Sequence, residues 1–217
     1  MKGITINTEN TGGRELSAAL EAVTRNLTAS EHKQESKLQS MRNMARRSRV
    51  TEITFAAACH EAAHAVMCLA EGRKFNRVCI EWLPGDLNTP EGVWWGKIEL
   101  ALEPESLSDV SREIAIFPAG IVFEKILRPN LSYDRISSTC GGLSDFWNAL
   151  NSCAALVGCD KNDRRAAYVY KRSLRPTREF ILERWDDIVR IGEELAVRGK
   201  LTQSEVEALL MLTATAA

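Results

Sequence analysis

The sequence predicts a mainly helical α+β domain that contains a small β-sheet. Apolar residues recur at helical spacing through most of residues 51–217, and only two stretches, Asn76–Leu83 and Val93–Leu102, are typical of strands. The segment between them contains proline, glycine and asparagine, which favour turns. A length of 217 residues, with 45% hydrophobic and 26% charged residues, fits one globular domain or one domain with a small appendage.

Residues 1–50 are predicted to be a helical or partly flexible N-terminal appendage. Apolar residues recur there at helical spacing but are few, and the basic cluster Arg46–Arg49 is interpreted as a solvated linker. The body of the protein, residues 51–217, is predicted to begin with a helix that Thr54 caps and that runs to about Glu71.

The next helical segment runs from Val110 to Leu127, with Ser108 as its predicted cap. Pro118 lies inside this segment and should kink or interrupt it, because proline lacks a backbone N–H. A loop is then predicted over Arg128–Gly142, followed by a helix over Leu143–Val157.

The last part of the chain is predicted to be helical throughout. Pro176 is interpreted as the first residue of a helix that continues to Arg198 and ends before Gly199. Thr202 and Glu205 have the spacing of a capping box for a final helix that reaches Leu212.

Composition narrows the classes of function. A net charge of −1 does not favour nucleic acid as a partner. The longest apolar run, Ile114–Phe123, is too short to span a membrane and contains Pro118, and the N-terminus has no apolar secretory signal. The six cysteines form no C-x-x-C pair, which indicates reduced thiols and a cytoplasmic location.

The segment His60–His64, with the sequence HEAAH, contains two of the three histidines in the chain. Residues four apart lie on one face of a helix, so both imidazoles can reach one metal ion. Glu61 lies beside them and can accept a proton from water that a zinc ion activates. The alternative, two core histidines bonded to ordinary protein groups, requires every buried polar atom to find a partner. The remaining histidine, His32, is interpreted as a surface residue.

A catalytic zinc site usually has three protein ligands and one open position. No histidine follows His64, so the third ligand is expected to be a carboxylate or, less favourably, a thiolate. Spacing alone leaves seven candidates open: Glu71, Glu81, Glu99, Glu124, Asp134, Asp145 and Cys140.

Several segments, in order, resemble the peptidase domain of the FtsH family of membrane-bound AAA+ zinc proteases. HEAAHAV resembles the HEAGHA helix of that family, AGIVFEKIL resembles its GGRxAEE helix, and GGLSD resembles the GASND segment that supplies its third zinc ligand. EGVWWGKIELA stands in the place of a strand beside the zinc helix, and the segment from Ile181 to Leu210 resembles the C-terminal helices. The similarity covers about Phe55 to Leu212, although Ile121 and Lys125 depart from the family pattern.

This resemblance implies an FtsH-peptidase-like helical domain with a small sheet beside the zinc-binding helix. It implies Zn²⁺ bound by His60, His64 and Asp145, with Glu61 as general base. Glu124 would orient a ligand, the alternative being an ordinary helix charge.

The resemblance also implies that the strand containing Val93, Trp94, Trp95 and Gly96 is the edge to which an extended substrate adds. The two tryptophans can instead be packing residues, because adjacent strand residues point to opposite faces.

The chain contains no phosphate-binding loop and no membrane span, unlike the family it resembles. The expected function is that of an ATP-independent zinc endopeptidase acting on peptides, unfolded proteins or a specific partner, alone or with a separate unfoldase. The resemblance further suggests a homo-oligomer, although the ATPase that usually accompanies the ring is missing. The alternatives are a regulatory peptidase that cleaves a repressor and a non-catalytic binding or adaptor module with the same fold.

Overall fold

The computed structural model describes residues 52–84, 93–133 and 142–214, together with Ser36. This part of the chain is mainly helical and contains a three-stranded antiparallel sheet, which confirms the predicted fold class. All elements named below belong to one compact unit, Met41–Ala217. The predicted appendage over residues 1–50, with the arginine cluster and His32, lies outside the described residues apart from Ser36.

Helix α1, Glu52–Ala70, lies at the centre of the domain. Ala58, Ala62 and Ala65 are fully buried, and their small side chains let neighbouring elements approach the helix on several sides. The helix ends at Ala70, and Gly72, with a φ of 68°, permits the backbone N–H of Arg73 to donate to the carbonyl of Cys68 at 2.8 Å. The prediction that Thr54 caps this helix is wrong, because Thr54 lies within its first turn.

The sheet has the order β2-β1-β3, with β1 at Phe75–Leu83, β2 at Val93–Leu100 and β3 at Lys200–Thr202. The two predicted strands are confirmed to within two residues at their ends. Strand β3 was not predicted, since three residues are too few to show an alternating pattern. Within the described residues β2 is an edge strand, paired on one side only.

Helices α2, Leu107–Ile116, and α3, Pro118–Leu127, meet at Phe117. The predicted interruption is therefore confirmed: Pro118 begins a new helix, where its missing N–H costs no hydrogen bond. The predicted cap at Ser108 is wrong. Ser106 caps α2 instead, because its hydroxyl accepts a hydrogen bond from the backbone N–H of Asp109 at 3.1 Å.

Helix α4 spans Gly142–Val157, close to the predicted bounds, and α5 spans Arg164–Glu183. The predicted continuous helix from Pro176 to Arg198 is wrong: Pro176 lies inside α5, and Arg184 separates α5 from the helix that starts at Trp185. Asp163 caps α5 by accepting from the N–H of Arg165 at 2.8 Å. Buried Thr177 and Ile181 continue the packed face beyond the proline, so tertiary packing overrides the local cost of a proline within a helix.

Helix α6, Trp185–Arg198, ends at Gly199, whose φ of 74° is left-handed as a helix stop requires. Helix α7, Gln203–Ala214, begins with the predicted capping box. The N–H of Thr202 donates to Glu205 at 2.8 Å, and the N–H of Glu205 donates to the Thr202 hydroxyl at 3.4 Å.

Two hydrophobic clusters fill the described part of the domain. The first surrounds α1 and contains residues of α3, α6 and the sheet. The second lies between α2, α4 and α5, and its buried members are Ile114, Ala149, Leu150, Cys153, Ala154, Ala166 and Tyr170. Nowhere in the described segments does a helix combine the length and apolar character needed to cross a bilayer.

Candidate metal centre

Helix α1 directs two imidazoles to one place. His60 and His64 lie one turn apart, with ring centroids 5.0 Å from each other, and each residue is only 2% exposed. Nε2 of His60 lies 3.0 Å from Oδ2 of Asp145, and Nε2 of His64 lies 3.3 Å from the same oxygen. The two histidines therefore converge on a single carboxylate.

Asp145 reaches this place from the first turn of α4, where the positive end of the helix dipole favours a carboxylate. One ligand atom from each of His60, His64 and Asp145 lies within 4.8 Å of the other two. Burial by itself would raise the pKa of Asp145, but the two imidazoles hold it well below its usual value. Asp145 is thus ionised, as a metal ligand must be.

The other ring nitrogens are engaged with the protein. Nδ1 of His60 donates to Oε1 of Glu124 on α3 at 2.7 Å, and Nδ1 of His64 donates to the carbonyl of Ile116 at the end of α2 at 2.8 Å. Because Nδ1 of each ring carries the donated proton, Nε2 of each neutral imidazole has its lone pair free to bind a cation.

This donor set fits a divalent cation. Two imidazole lone pairs and a carboxylate oxygen converge in a buried pocket, and Nε2 of His64 has no hydrogen-bond partner there. Three electron-pair donors facing one another repel unless positive charge lies among them. Two histidines and one carboxylate also form a ligand set found in catalytic zinc sites.

Protons can supply the same positive charge. Burial lowers the pKa of His60, yet its hydrogen bonds to Asp145 and Glu124 outweigh burial and raise that pKa well above its usual value. Burial also lowers the pKa of His64, but the charge of Asp145 and a hydrogen bond to it, together with the charge of Glu61, raise that pKa above its usual value. Protons and metal ions therefore compete for this pocket near neutral pH.

Glu61 is buried beside the pair of histidines and faces the sheet. A Cβ atom placed at Gly96 of β2 would lie 2.4 Å from Oε1 of Glu61, so the carboxylate lies directly against the strand backbone. Burial raises the pKa of Glu61, while the neighbouring histidines lower it. The carboxylate lies between the candidate metal ligands and strand β2.

Three consecutive residues of α1 each lie against a glycine from a different element. Gly192 of α6 faces Cys59, Gly120 of α3 faces His60, and Gly96 of β2 faces Glu61. A Cβ at these glycines would come within 2.4, 2.3 and 2.4 Å, respectively, of the opposing side chain. Sequence reasoning did not identify Gly120 or Gly192 as positions of close approach to α1, although a glycine inside a helical pattern is a signal of close approach.

The other candidates for the third ligand lie in different surroundings. Glu124 binds Nδ1 of His60 rather than the shared pocket, and Glu99 is paired with Arg77 and Lys97 on the exposed face of the sheet. Among the described candidates, Asp145 is the one whose carboxylate lies close enough to both histidines to share a metal ion with them. Glu71 and Glu81 do not belong to this cluster. The positions of Asp134 and Cys140 fall outside the described residues.

The predicted substrate edge is β2, which contains Val93, Trp94, Trp95 and Gly96. Trp94 packs edge-to-face on Trp82, with ring centroids 5.5 Å apart, and contacts the first hydrophobic cluster. Trp95 points to the opposite face, is 39% exposed and lies under the Lys97 ammonium at 5.4 Å from the ring centroid. Trp94 is therefore a packing residue, and Gly96 is the strand residue in contact with Glu61.

Comparisons with protein-family models and with curated proteins find no match to this chain.

Proposed function

We propose that this protein is an ATP-independent zinc endopeptidase that cleaves peptides or unfolded segments of proteins. The observation that carries the proposal is the convergence of both histidine Nε2 atoms on Asp145, with their Nδ1 atoms held by Glu124 and the Ile116 carbonyl. The resemblance of the HEAAH, AGIVFEKIL and GGLSD segments to the FtsH peptidase family supports the same function.

His60, His64 and Asp145 would hold the zinc ion. When bound, zinc supplies a Lewis acid that polarises a carbonyl and makes water acidic enough to react near neutral pH. Glu124 and the Ile116 carbonyl hold the two imidazole rings in the orientation and tautomer that metal binding needs.

Glu61 is the proposed general base. Its carboxylate takes a proton from the attacking water and delivers that proton to the amine that leaves when the peptide bond breaks. Burial favours this exchange, because a raised pKa brings the carboxyl closer to the pH at which it must both accept and release a proton.

An extended substrate would bind along the edge of β2 that has no partner strand in the described part of the chain. Backbone pairing there places the scissile bond beside Gly96, where the strand lies against Glu61. Backbone pairing requires an extended chain, so folded proteins are poor substrates and flexible segments are good ones. The free thiols of Cys59, Cys68, Cys79, Cys153 and Cys159 favour a reducing compartment such as the cytoplasm.

The test combines metal analysis with proteolysis of an unfolded, fluorescently labelled protein. We expect about one zinc per chain, as a three-ligand catalytic site holds. Glu61→Gln should abolish cleavage and retain zinc, whereas Glu71→Gln, at the end of the same helix, should leave both unchanged. Equal cleavage by wild type and Glu61→Gln would rule out this mechanism. Zinc binding without any cleavage by the wild type would instead support a non-catalytic binding module.

A further inference from the structure

The residues of the candidate metal centre come from two separately packed parts of the domain. His60 and His64 lie on α1 in the first hydrophobic cluster, whereas Asp145 lies on α4, whose buried residues belong to the second. Helix α4 packs mainly against α2 and α5, and α1 is not among its main neighbours. The distance from Asp145 to the histidines therefore depends on the elements that pack against both α4 and α1.

Helix α3 packs against both α1 and α4 and makes one such connection, and the last turn of α2 makes a second one through hydrogen bonds. The carbonyl of Ile116 accepts the hydrogen bond from His64 Nδ1 at 2.8 Å. Three residues earlier, Oε2 of Glu113 accepts a hydrogen bond from the hydroxyl of Ser152 on α4 at 3.2 Å. One turn of helix thus contacts a histidine of the centre on one side and the helix of Asp145 on the other.

The second carboxylate oxygen of Glu113 is bonded to the segment that follows α1. Oε1 accepts from the guanidinium of Arg73 at 3.2 Å, and the same guanidinium donates to the carbonyl of Leu102 at 3.0 Å. Arg73, Glu113 and Ser152 are 7%, 6% and 7% exposed, so water cannot readily replace these bonds. The two oxygens of Glu113 therefore link the end of α1 to α4 through the protein interior.

We propose that Glu113 is a positioning residue of the metal centre, which sets the place of Asp145 by holding α4 through Ser152. Ser152 follows Asp145 by seven residues, two turns along the same face of α4 and about 10 Å away. A shift of α4 at Ser152 therefore moves Asp145 relative to the histidines. Among the described residues, the side-chain hydrogen bonds of Glu113 go to Arg73 and Ser152, so it acts on the centre through α4.

This inference rests on the proposed metal centre, and its test does not depend on peptidase activity. The probe is Co²⁺, whose affinity and visible absorption spectrum report the ligand geometry of folded protein. Ser152→Ala and Glu113→Ala should each weaken Co²⁺ binding about 2- to 30-fold, the range for substitutions that act at a distance through packing. The double variant should bind no more weakly than Glu113→Ala, because both substitutions break the same link.

Asn151→Ala is the matched control, since Asn151 is the exposed neighbour of Ser152 on α4. It should leave Co²⁺ affinity unchanged. Ser152→Ala is the milder of the two test variants and removes only one hydroxyl, so it keeps the test decisive if Glu113→Ala does not fold.

Amide hydrogen exchange of the metal-free proteins provides a second readout. In Ser152→Ala, exchange should accelerate in α4 and stay unchanged in α1. Wild-type Co²⁺ affinity in folded Ser152→Ala would overturn the proposal, even with faster exchange in α4, because Glu113 would then be only structural. Failure of the wild type to bind Co²⁺ would refute the metal centre and hence the proposed function. The exchange data would still show whether α2 holds α4.

Discussion

Nδ1 of His60 lies 2.7 Å from Oε1 of Glu124, and both side chains are almost fully buried. The other oxygen of Glu124 lies 3.8 Å from the guanidinium of Arg128 at the end of α3. A carboxylate in this position fixes the orientation of the imidazole and increases the basicity of Nε2, the atom that faces the proposed metal. The AGIVFEKIL segment therefore contributes to the centre through the ring of His60.

Replacing Glu124 with glutamine should weaken zinc binding without removing a ligand. The amide keeps the shape of the side chain but loses the negative charge, so affinity should fall about 10- to 100-fold. Competition with a chromophoric chelator measures this change. Glu179→Gln on the exposed face of α5 is the control and should bind zinc as the wild type does. Unchanged affinity in Glu124→Gln would show that Glu124 is an ordinary buried helix charge.

Replacing Asp145 with alanine should abolish stoichiometric zinc binding, because two imidazoles alone do not complete the three-ligand set. Metal analysis after gel filtration, with circular dichroism to verify folding, measures the outcome. A folded Asp145→Ala protein that retains wild-type zinc affinity would move the third ligand to another residue, with Asp134 and Cys140 as the first candidates to test.

Gly96→Ala should separate catalysis from metal binding. The added Cβ would lie 2.4 Å from Oε1 of Glu61 and must displace the carboxylate, whereas the metal ligands remain in place. A displacement of about 1 Å is expected to lower kcat about 100-fold. The measurement is steady-state cleavage of a peptide by the zinc-loaded protein, together with its zinc content.

Gly192→Ala is the matched comparison for Gly96→Ala. Its Cβ would lie 2.4 Å from Sγ of Cys59, one residue before His60 but at the interface of α1 with α6. Overpacking there should lower the free energy of unfolding by about 1–3 kcal/mol and leave kcat of the folded enzyme nearly unchanged. Equal losses of kcat in both variants would indicate a general disturbance of α1 rather than displacement of Glu61.

The pH dependence of stability should reverse when zinc is added. In metal-free protein the pKa of His60 is raised well above 6.5, and that of His64 is also raised. Protonation of these two histidines therefore stabilises the folded state, and this stabilisation is complete below about pH 6.5. The stabilisation is lost as the pH rises through the raised pKa values of the two histidines. The free energy of unfolding then falls by up to about 1.4 kcal/mol per pH unit for each proton that only the folded state retains. Asp145, with its lowered pKa, is already ionised throughout this window.

Zinc-loaded protein should instead become more stable over the same interval, because metal binding requires neutral imidazoles. Urea denaturation between about pH 6.5 and about pH 8, with and without a chelator, measures both trends. If the free energy of unfolding of the chelated protein did not change with pH, this would contradict the binding of protons by His60 and His64 beside Asp145.

Local patterns were sufficient for much of the fold. The hairpin strands, the break at Pro118 and the Thr202–Glu205 capping box depend on residues close together in the chain, and each was predicted from sequence. The failures involve packing. Pro176 lies within α5 because buried neighbours outweigh its local cost, and β3 forms only because β1 offers it a partner.

The sequence by itself determined that His60 and His64 share one helix face with Glu61 beside them, because the helical period fixes residues that are four apart. Residue spacing left the third ligand among seven candidates, and only the resemblance to a known family favoured Asp145. Tertiary structure decided that Asp145 meets both imidazoles, and that Gly192, Gly120 and Gly96 lie against Cys59, His60 and Glu61, respectively. These contacts join residues far apart in the chain, so they depend on how the other helices and the sheet pack around α1, which no local pattern encodes.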